Sequence, residues 1–151
     1  MKQTQQDTSV RILGSSVRTN HELESNPETG RIPALWQTFM QQGAAQSIPG
    51  ASSPVVYAVY SDYESDVSGD YTLTLGTTSE AEDANLNPVT VPTGNYLVFE
   101  EAGPTPACTV QAWQTIWAYF ADPNCEHTRA YDADFEMYTA AEGVSVYIGI
   151  K

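Results

Sequence analysis

The sequence WQTF at residues 36–39 recurs as WQTI at residues 113–116, 77 positions later in a chain of 151 residues. Each copy follows a proline, Pro33 or Pro106, near a point where the first turn of a helix tolerates one. Apolar residues around both copies recur at i, i+3, i+4 and i+7, which is the spacing of one helical face. The repeat therefore predicts two related helices, about half a chain apart.

Similar strands surround each predicted helix, marked by runs of β-branched and aromatic residues. The predicted strands are residues 9–19, 54–63 and 71–76 in the first half, and residues 89–101, 129–139 and 144–149 in the second. Turns are predicted at residues 65–69 and 140–143. The acidic, polar segment 77–88 is predicted to link the two halves, residues 9–76 and 89–151.

This order of elements predicts a single α+β domain over residues 1–151. Two tandem strand–helix–strand–strand repeats form one antiparallel sheet, both helices cover one of its faces, and a ligand cleft lies between the halves. The face opposite the helices is then either solvated or folded into that cleft.

Strand alternation predicts which side chains line the uncovered face. In the segment DFEMY the apolar Phe135 is assigned beneath the helices, which places Glu136 and Tyr138 on the uncovered face. In the last strand the alternating Val and Ile residues take the covered face, so Tyr147 is predicted to lie with Glu136. In the strand at residues 54–63 both faces are apolar, and the sequence leaves their orientation open.

Composition narrows the classes of partner. The chain has 6 Lys+Arg against 19 Asp+Glu, a formal net charge of -13, which repels nucleic acid and anionic membranes and attracts cations. Hydrophobic residues make up 41% and charged residues 17%, as is typical of a globular protein. The apolar runs are too short to cross a bilayer and the first nine residues are too polar for a signal peptide, so we expect a cytoplasmic protein.

The sequence predicts neither a metal site nor a cofactor. Cys108 and Cys125 lack C-x-x-C spacing, and His21 and His127 are 106 positions apart (127 minus 21) without neighbouring ligands. The chain also lacks the motifs of a serine hydrolase or a phosphate-binding loop.

A carboxylate among aromatic rings suits a flat organic cation, because each ring adds roughly 0.5–2 kcal/mol of cation–π attraction to the ion pair. The same residues also have purely structural interpretations. Glu136 fits a solvated strand carboxylate, and Tyr138 and Tyr147 fit cross-strand packing partners. The helical spacing favours core positions for Trp36, Trp113 and Trp117, although Trp36 could also lie at the rim of the cleft.

Four segments taken together resemble a known family. They are VPTGNYLVF at residues 91–99 with the following Gly103, the pair Trp113 and Trp117, DFEMY at residues 134–138, and VYIGI at residues 146–150. In this order they resemble the effector-binding domain family, found at the ends of AraC-type and MerR-type regulators and as the free-standing gyrase-inhibitory-protein-like module. The resemblance covers about residues 10–150 and extends to mobile-cassette members that bind cationic drugs.

The resemblance implies a role for particular residues. Glu136 corresponds to the glutamate of the F-E-x-Y pattern, which meets positively charged ligands in the cleft. Trp36, Phe39 and Tyr60 correspond to aromatic residues that commonly line the pocket. No helix-turn-helix precedes the domain, so we expect no direct nucleic-acid binding, and any regulatory role would act through a protein partner. The sequence leaves a homodimer open.

Three functions remain open at this stage. The first is a free-standing effector-binding protein that takes up cationic, amphiphilic or aromatic molecules. The second is a small-molecule hydrolase, with Glu136 as general base and Tyr138 or Tyr147 as hydrogen-bond donor. The third is an interaction protein of the gyrase-inhibitor type, which would use acidic surface such as the cluster at residues 80–83.

Overall fold

The computed structural model describes residues 1–66, 68–139 and 142–151. Its strands are β1 (Lys2–Gln6), β2 (Val10–Thr19), β3 (Val56–Ser61), β4 (Tyr71–Thr78), β5 (Asn87–Val91), β6 (Gly94–Pro104), β7 (Arg129–Tyr138) and β8 (Glu142–Ile150). Its α-helices are α1 (His21–Glu24), α2 (Ile32–Gln41) and α3 (Ala107–Ala121), and a 3-10 turn covers Ala44–Ser47. The predicted α+β class and the repeated strand–helix–strand–strand order are confirmed.

All eight strands form one antiparallel sheet in the order β1-β6-β8-β7-β3-β4-β2-β5. Each repeat contributes three neighbouring strands, β2-β4-β3 from the first and β6-β8-β7 from the second. The two sets run in opposite order across the sheet and meet where β3 pairs with β7. Two further strands pair with the opposite repeat. β1, which precedes the first repeat, pairs with β6 of the second, and β5, which precedes the second repeat, pairs with β2 of the first. This exchange ties the halves together at both outer edges.

Several boundaries differ from the sequence-based prediction. β1 was not predicted, β3 covers only part of the predicted strand 54–63, and β8 begins at Glu142, inside the predicted turn 140–143. The strand predicted at residues 89–101 is two strands, β5 and β6, which pair with different neighbours. The predicted linker 77–88 is shorter, because β4 extends to Thr78 and β5 begins at Asn87. Residue 67 of one predicted turn and residues 140 and 141 of the other lie outside the described residues.

Both long helices lie on the same face of the sheet. From α2, Leu35 and Phe39 are buried with Leu75 of β4. From α3, Ile116 is buried with Val146 of β8. The apolar stripes predicted for the two helices therefore form two adjacent cores, one beneath each helix. In the described ranges, no helix has the length and hydropathy needed to span a membrane.

The predicted orientation of β7 is wrong. Glu136 pairs with Ala58 of β3 and with Val146 of β8, which both belong to the cores beneath the helices. Phe135 and Met137 lie on the opposite face. Strand alternation separates the side chains of a strand into two sets but does not show which set faces the helices, and the more apolar set is expected to do so. That choice fails here because the opposite face has a core of its own.

The opposite core explains the reversal. Phe135 is buried there with Val59 and Tyr96, and the ring of Tyr147 stacks on that of Phe135 with centroids 4.5 Å apart. The same contacts show the orientation of β3, which the sequence left undecided: Val59 lies in this core, and Tyr60 lies on the helix side. Any cleft with Glu136 in it must therefore open between the helices.

Candidate functional site

A cavity of about 950 Å³ lies on the helix side of the sheet, where the two halves meet. Residues of α2 and α3 form its sides, and β3 and β7 contribute to its floor. The large aromatic side chains that line it are Trp36, Tyr60, Tyr63, Tyr71, Trp113, Trp117 and Tyr138. The lining is mostly apolar, so the few polar groups in it determine what it can bind.

Glu136 is the most buried charged group of the cavity lining, with only 1% of its surface exposed. The hydroxyl of Tyr60 donates to its Oε2 at 2.7 Å, as does Nε1 of Trp113 at 2.7 Å. The hydroxyl of Tyr138 donates to Oε1 at 2.6 Å. Among the described residues, no Lys, Arg or His forms an ion pair with this carboxylate. Glu136 is thus hydrogen-bonded but not neutralised.

The rings around Glu136 follow the repeat. Trp36 of α2 makes an edge contact with Tyr138 of the second half, with ring centroids 5.3 Å apart. Trp113 of α3 makes the corresponding contact with Tyr60 of the first half, also at 5.3 Å. Each helix therefore places its tryptophan on a tyrosine of the other half, and the two Trp–Tyr pairs enclose Glu136.

Burial sets the protonation behaviour of the site. Removal from water raises the pKa of Glu136, and the hydrogen bonds from Tyr138, Trp113 and Tyr60 only partly oppose this effect. Burial also raises the pKa of Tyr60 and of Tyr138, and the Glu136 carboxylate raises both further. The two hydroxyls therefore stay protonated and act as hydrogen-bond donors.

A second carboxylate in the lining has a structural task. Glu24 accepts hydrogen bonds from the backbone N–H groups of Arg31 at 2.8 Å and Ile32 at 3.0 Å, and one from the Thr19 hydroxyl. It thereby caps the start of α2, for which no residue at the helix terminus supplies a side-chain cap. Burial, followed by the charges of Glu24 and Glu136, raises the pKa of Tyr71 to about 12.

The rim of the cavity joins the two halves. The imidazole of His21, at the start of α1, makes an edge contact with Trp117 of α3 at 5.5 Å. Met40 and Val110 are exposed at the same rim. The exposed part of the lining therefore combines apolar and aromatic side chains with polar ones such as Asp66. Within the described part of the chain, no group of three or more His, Cys, Asp and Glu side chains is arranged to hold a metal ion.

Comparison with known proteins identifies the family. A family model described as integron-associated effector binding protein matches residues 5–150. The chain belongs to this family. The resemblance to effector-binding domains inferred from the four sequence segments is thereby confirmed.

Relatives of this effector-binding protein agree with that assignment. It is 32% identical to the putative transcriptional regulator protein YobU of Bacillus subtilis (strain 168), over 93% of this chain and 92% of YobU. It is 29% identical to integron cassette protein VCH_CASS2 from the mobile metagenome of Vibrio cholerae, with a TM-score of 0.85 over 99% of this chain and 95% of that one. SAV2435, solved bound to tetraphenylphosphonium, shares the fold at 16% identity, with a TM-score of 0.71 over 99% of this chain and 93% of that one.

Four of the six predicted site residues meet at the cavity of this effector-binding protein: Glu136, Tyr138, Trp36 and Tyr60. Two do not line it. Phe39 is buried behind Trp36, where α2 packs on Leu73 and Leu75, because its position on the helix faces the sheet. Tyr147 lies on the opposite face with Phe135, because β8 alternates and Val146 and Ile148 take the helix side.

Several residues of the site were not among those predicted. Helical spacing favours a core position for Trp113, yet its indole donates directly to Glu136. The WQT repeat held the relevant information: once Trp36 is placed at the cleft, the 77-residue offset places Trp113 at the matching position of the second helix. Tyr63, Tyr71 and Arg129 also line the cavity, but they lie outside the repeated motif.

Proposed function

We propose that this protein binds cationic, amphiphilic or aromatic small molecules in the cavity between α2 and α3, with Glu136 as counter-charge. One observation carries the proposal: a carboxylate buried to 1% exposure, with three hydrogen-bond donors, has no cationic partner in the described residues. A buried charge without a partner is costly, by several kcal/mol even after relaxation. A bound cation would offset that cost.

The shape and lining of the cavity support an aromatic ligand. Its volume of about 950 Å³ is within the range of sites for drug-sized molecules. The rings of Trp36, Trp113 and Tyr71 line the same cavity as the carboxylate, and each contact with a cation contributes roughly 0.5–2 kcal/mol. The formal net charge of -13 adds a long-range attraction for cations that falls with ionic strength.

A structural neighbour gives independent support for the ligand class. SAV2435 has the same fold and its structure contains tetraphenylphosphonium, a bulky aromatic monocation. A regulatory role is supported by the likeness to YobU, a putative transcriptional regulator. We infer that ligand binding here serves either sensing, with a protein partner acting on transcription, or sequestration of toxic cations.

The proposal is tested by titration calorimetry with tetraphenylphosphonium on the wild type and on Glu136→Gln. Loss of the carboxylate is expected to weaken binding by about 1–3 kcal/mol, because a charge-assisted contact is replaced by a neutral one. Equal affinity of the two proteins would refute Glu136 as the counter-charge.

Glu82→Gln is the matched control. Glu82 is exposed in the segment between β4 and β5, so this change removes the same formal charge without touching the cavity. It is expected to leave the affinity for tetraphenylphosphonium within about twofold. If the acidic cluster at residues 80–83 were instead the site of an interaction protein, this variant would lose a protein partner while Glu136→Gln would keep it.

The hydrolase alternative has one point in its favour, since the raised pKa of Glu136 suits a general base. Against it, three donors already occupy the carboxylate, which has about four acceptor directions in all. One direction remains for a water molecule or a ligand. Mass spectrometry of an aromatic epoxide after long incubation distinguishes the two functions: binding alone leaves the compound intact, and hydrolysis adds the mass of water in a Glu136-dependent manner.

A further inference from the structure

We propose that Arg129 forms a second recognition point in the cavity, which selects cations that also carry a neutral hydrogen-bond acceptor such as an ester or amide carbonyl. This inference rests on the proposed function of the same cavity and narrows its ligand class.

Asp134 and Arg129 form a buried ion pair on the same face of β7 as Glu136. Nη2 of Arg129 donates to Oδ2 of Asp134 at 2.6 Å, and the two side chains are 8% and 0% exposed. The carboxylate also accepts from the Tyr63 hydroxyl at 2.5 Å and from the backbone N–H of Gly149 at 2.9 Å. Asp134 thus has three donors of the protein itself, one of them the cationic Arg129.

Arg129, in contrast, retains unused donors. Its side chain lines the cavity, and its Nε is buried without a hydrogen-bond partner among the described residues. The guanidinium group carries five N–H donors in a fixed planar fork, so a bond through Nη2 leaves others available. The ring of Tyr131 lies 4.5 Å from Cζ and holds one face of the guanidinium plane. The guanidinium group is thus held between Asp134 and Tyr131 with donors that the described residues leave unused, and an unsatisfied buried donor calls for an explanation.

The two recognition points have different tasks because their charges are balanced differently. Glu136 has no ion-pair partner among the described residues, whereas the charge of Arg129 is balanced by that of Asp134. Glu24 and Asp66 add further negative charge to the lining. A ligand carboxylate would be repelled by this surplus, so the geometry points to a neutral oxygen acceptor at Arg129.

The spacing of the two points defines a ligand. Asp134 and Glu136 are two residues apart on one strand, which separates their side chains by about 7 Å. Arg129 is anchored on Asp134 by the 2.6 Å ion pair, so a ligand that contacts both Glu136 and Arg129 must span several ångströms. A suitable molecule has a cationic centre and a carbonyl oxygen joined by a rigid spacer such as a para-substituted benzyl group.

Three triphenylphosphonium salts test this inference: the 4-isopropylbenzyl, 4-(methoxycarbonyl)benzyl and 4-carboxybenzyl compounds. They share the cation and the spacer and differ in the para group, which is apolar, a neutral acceptor or an anion. Calorimetry on the wild type is expected to give about tenfold tighter binding of the ester than of the isopropyl compound, because the ester accepts from a charged donor. The carboxylate compound is expected to bind weakest.

The double variant Arg129→Gln with Asp134→Asn removes the ion pair without leaving one buried charge alone. The quantity measured is the ratio of the affinity for the ester to the affinity for the isopropyl compound, because a change in cavity shape would affect both affinities. We expect the preference for the ester to fall to about twofold or less. Should the double variant not fold, nitrogen-15 NMR of wild-type Arg129 replaces it: the ester is expected to shift the Nε–H signal and the isopropyl compound to leave it in place.

The outcomes separate the two proposals. If the isopropyl compound fails to bind the wild type, or binds Glu136→Gln equally well, the proposed function is wrong. If it binds through Glu136 but the ester shows no preference, or keeps its preference in the double variant, the role of Arg129 is wrong. An Nε–H signal that does not respond to the ester also overturns it.

Discussion

Ala58 and Glu136 lie directly opposite each other on the central antiparallel strands, β3 and β7. They are 78 positions apart (136 minus 58), the same offset that relates Tyr60 to Tyr138 (138 minus 60). The repeat therefore places an alanine in the first half where the second half has the buried carboxylate. The two Trp–Tyr pairs obey the symmetry of the fold, and this one pair breaks it.

The symmetry predicts that the carboxylate can be moved across the centre of the sheet. Ala58→Glu combined with Glu136→Ala would place a carboxylate among the same tyrosine hydroxyls from the other strand. Opposite side chains of such a pair are about 5 Å apart at Cβ, so the charge stays in the cavity. We expect tetraphenylphosphonium binding, lost in Glu136→Ala, to recover to within about tenfold of the wild type by calorimetry.

The control for this exchange is Ala58→Glu alone, in the presence of Glu136. Two buried carboxylates at this distance repel each other, so this variant is expected to melt at a lower temperature at pH 8 than at pH 5. A double variant that is folded by circular dichroism yet binds no better than Glu136→Ala would contradict the symmetric description of the site.

Trp113→Phe tests the indole donor of α3. The change removes the 2.7 Å hydrogen bond to Oε2 of Glu136 while an aromatic ring stays in place. Because that bond favours the ionised carboxylate, its loss is expected to raise the pKa of Glu136 further. The pH midpoint of cation binding should then move upward. Trp117→Phe, which leaves all three donors to Glu136 intact, should leave the midpoint where it is.

Cation binding is expected to depend on pH through Glu136. Burial raises its pKa above the ordinary value of 4.5, and a cation binds the ionised form. Affinity for tetraphenylphosphonium should therefore rise as pH increases through the raised pKa and level off above it, with proton release on binding in that range. Calorimetry in buffers of different ionisation enthalpy measures both effects, and Glu136→Gln should show neither.

The same shift has a consequence for the empty protein. Since the native state holds the Glu136 proton more tightly than the unfolded chain, the contribution of this residue to stability falls as pH rises from 4.5 through the raised pKa. Across this pH range, the melting temperature of the wild type should therefore fall relative to that of Glu136→Gln. Parallel melting curves at every pH would show that Glu136 titrates as it does in water.

Trp36 and Phe39 are neighbours on α2 with different predicted roles. Phe39 is 1% exposed in the core beneath the helix, so Phe39→Ala is expected to cost about 3–5 kcal/mol of stability. Trp36 faces the cavity, so Trp36→Ala should reduce cation affinity more than it reduces stability. Chemical denaturation and calorimetry on the two variants check this division. The assignment of Phe39 to the core and of Trp36 to the cavity is wrong if Phe39→Ala and Trp36→Ala reduce stability and cation affinity in the same proportion.

Much of the fold could be predicted from the sequence, because the helical stripes and the repeat are strong patterns. The WQT copies located α2 and α3 to within a few residues, and the order of strands in each half followed. The edge strand β1 was missed because its sequence, KQTQQ, is polar and shows no alternation. The division between β5 and β6 was missed because an exchange of partners leaves no mark in local hydropathy.

The site was harder to predict, since its central residue contradicts the rule used to place it. Alternation assigns carboxylates away from the core, yet Glu136 lies beneath the helices because the cavity supplies donors there. The F-E-x-Y pattern indicates Glu136 as a candidate but does not give its orientation. The role proposed for Arg129 could not be predicted either, because its pairing with Asp134 depends on an irregular register within β7.

The most direct test of the central claim is the position of a bound cation in a crystal. Tetraphenylarsonium matches tetraphenylphosphonium in shape, and its arsenic atom gives an anomalous signal that locates the charge without ambiguity. We predict a single strong peak between α2 and α3, within about 6 Å of the Glu136 carboxyl group. A peak on the face that carries Tyr147, or one at the rim with the cavity floor empty, would contradict the account.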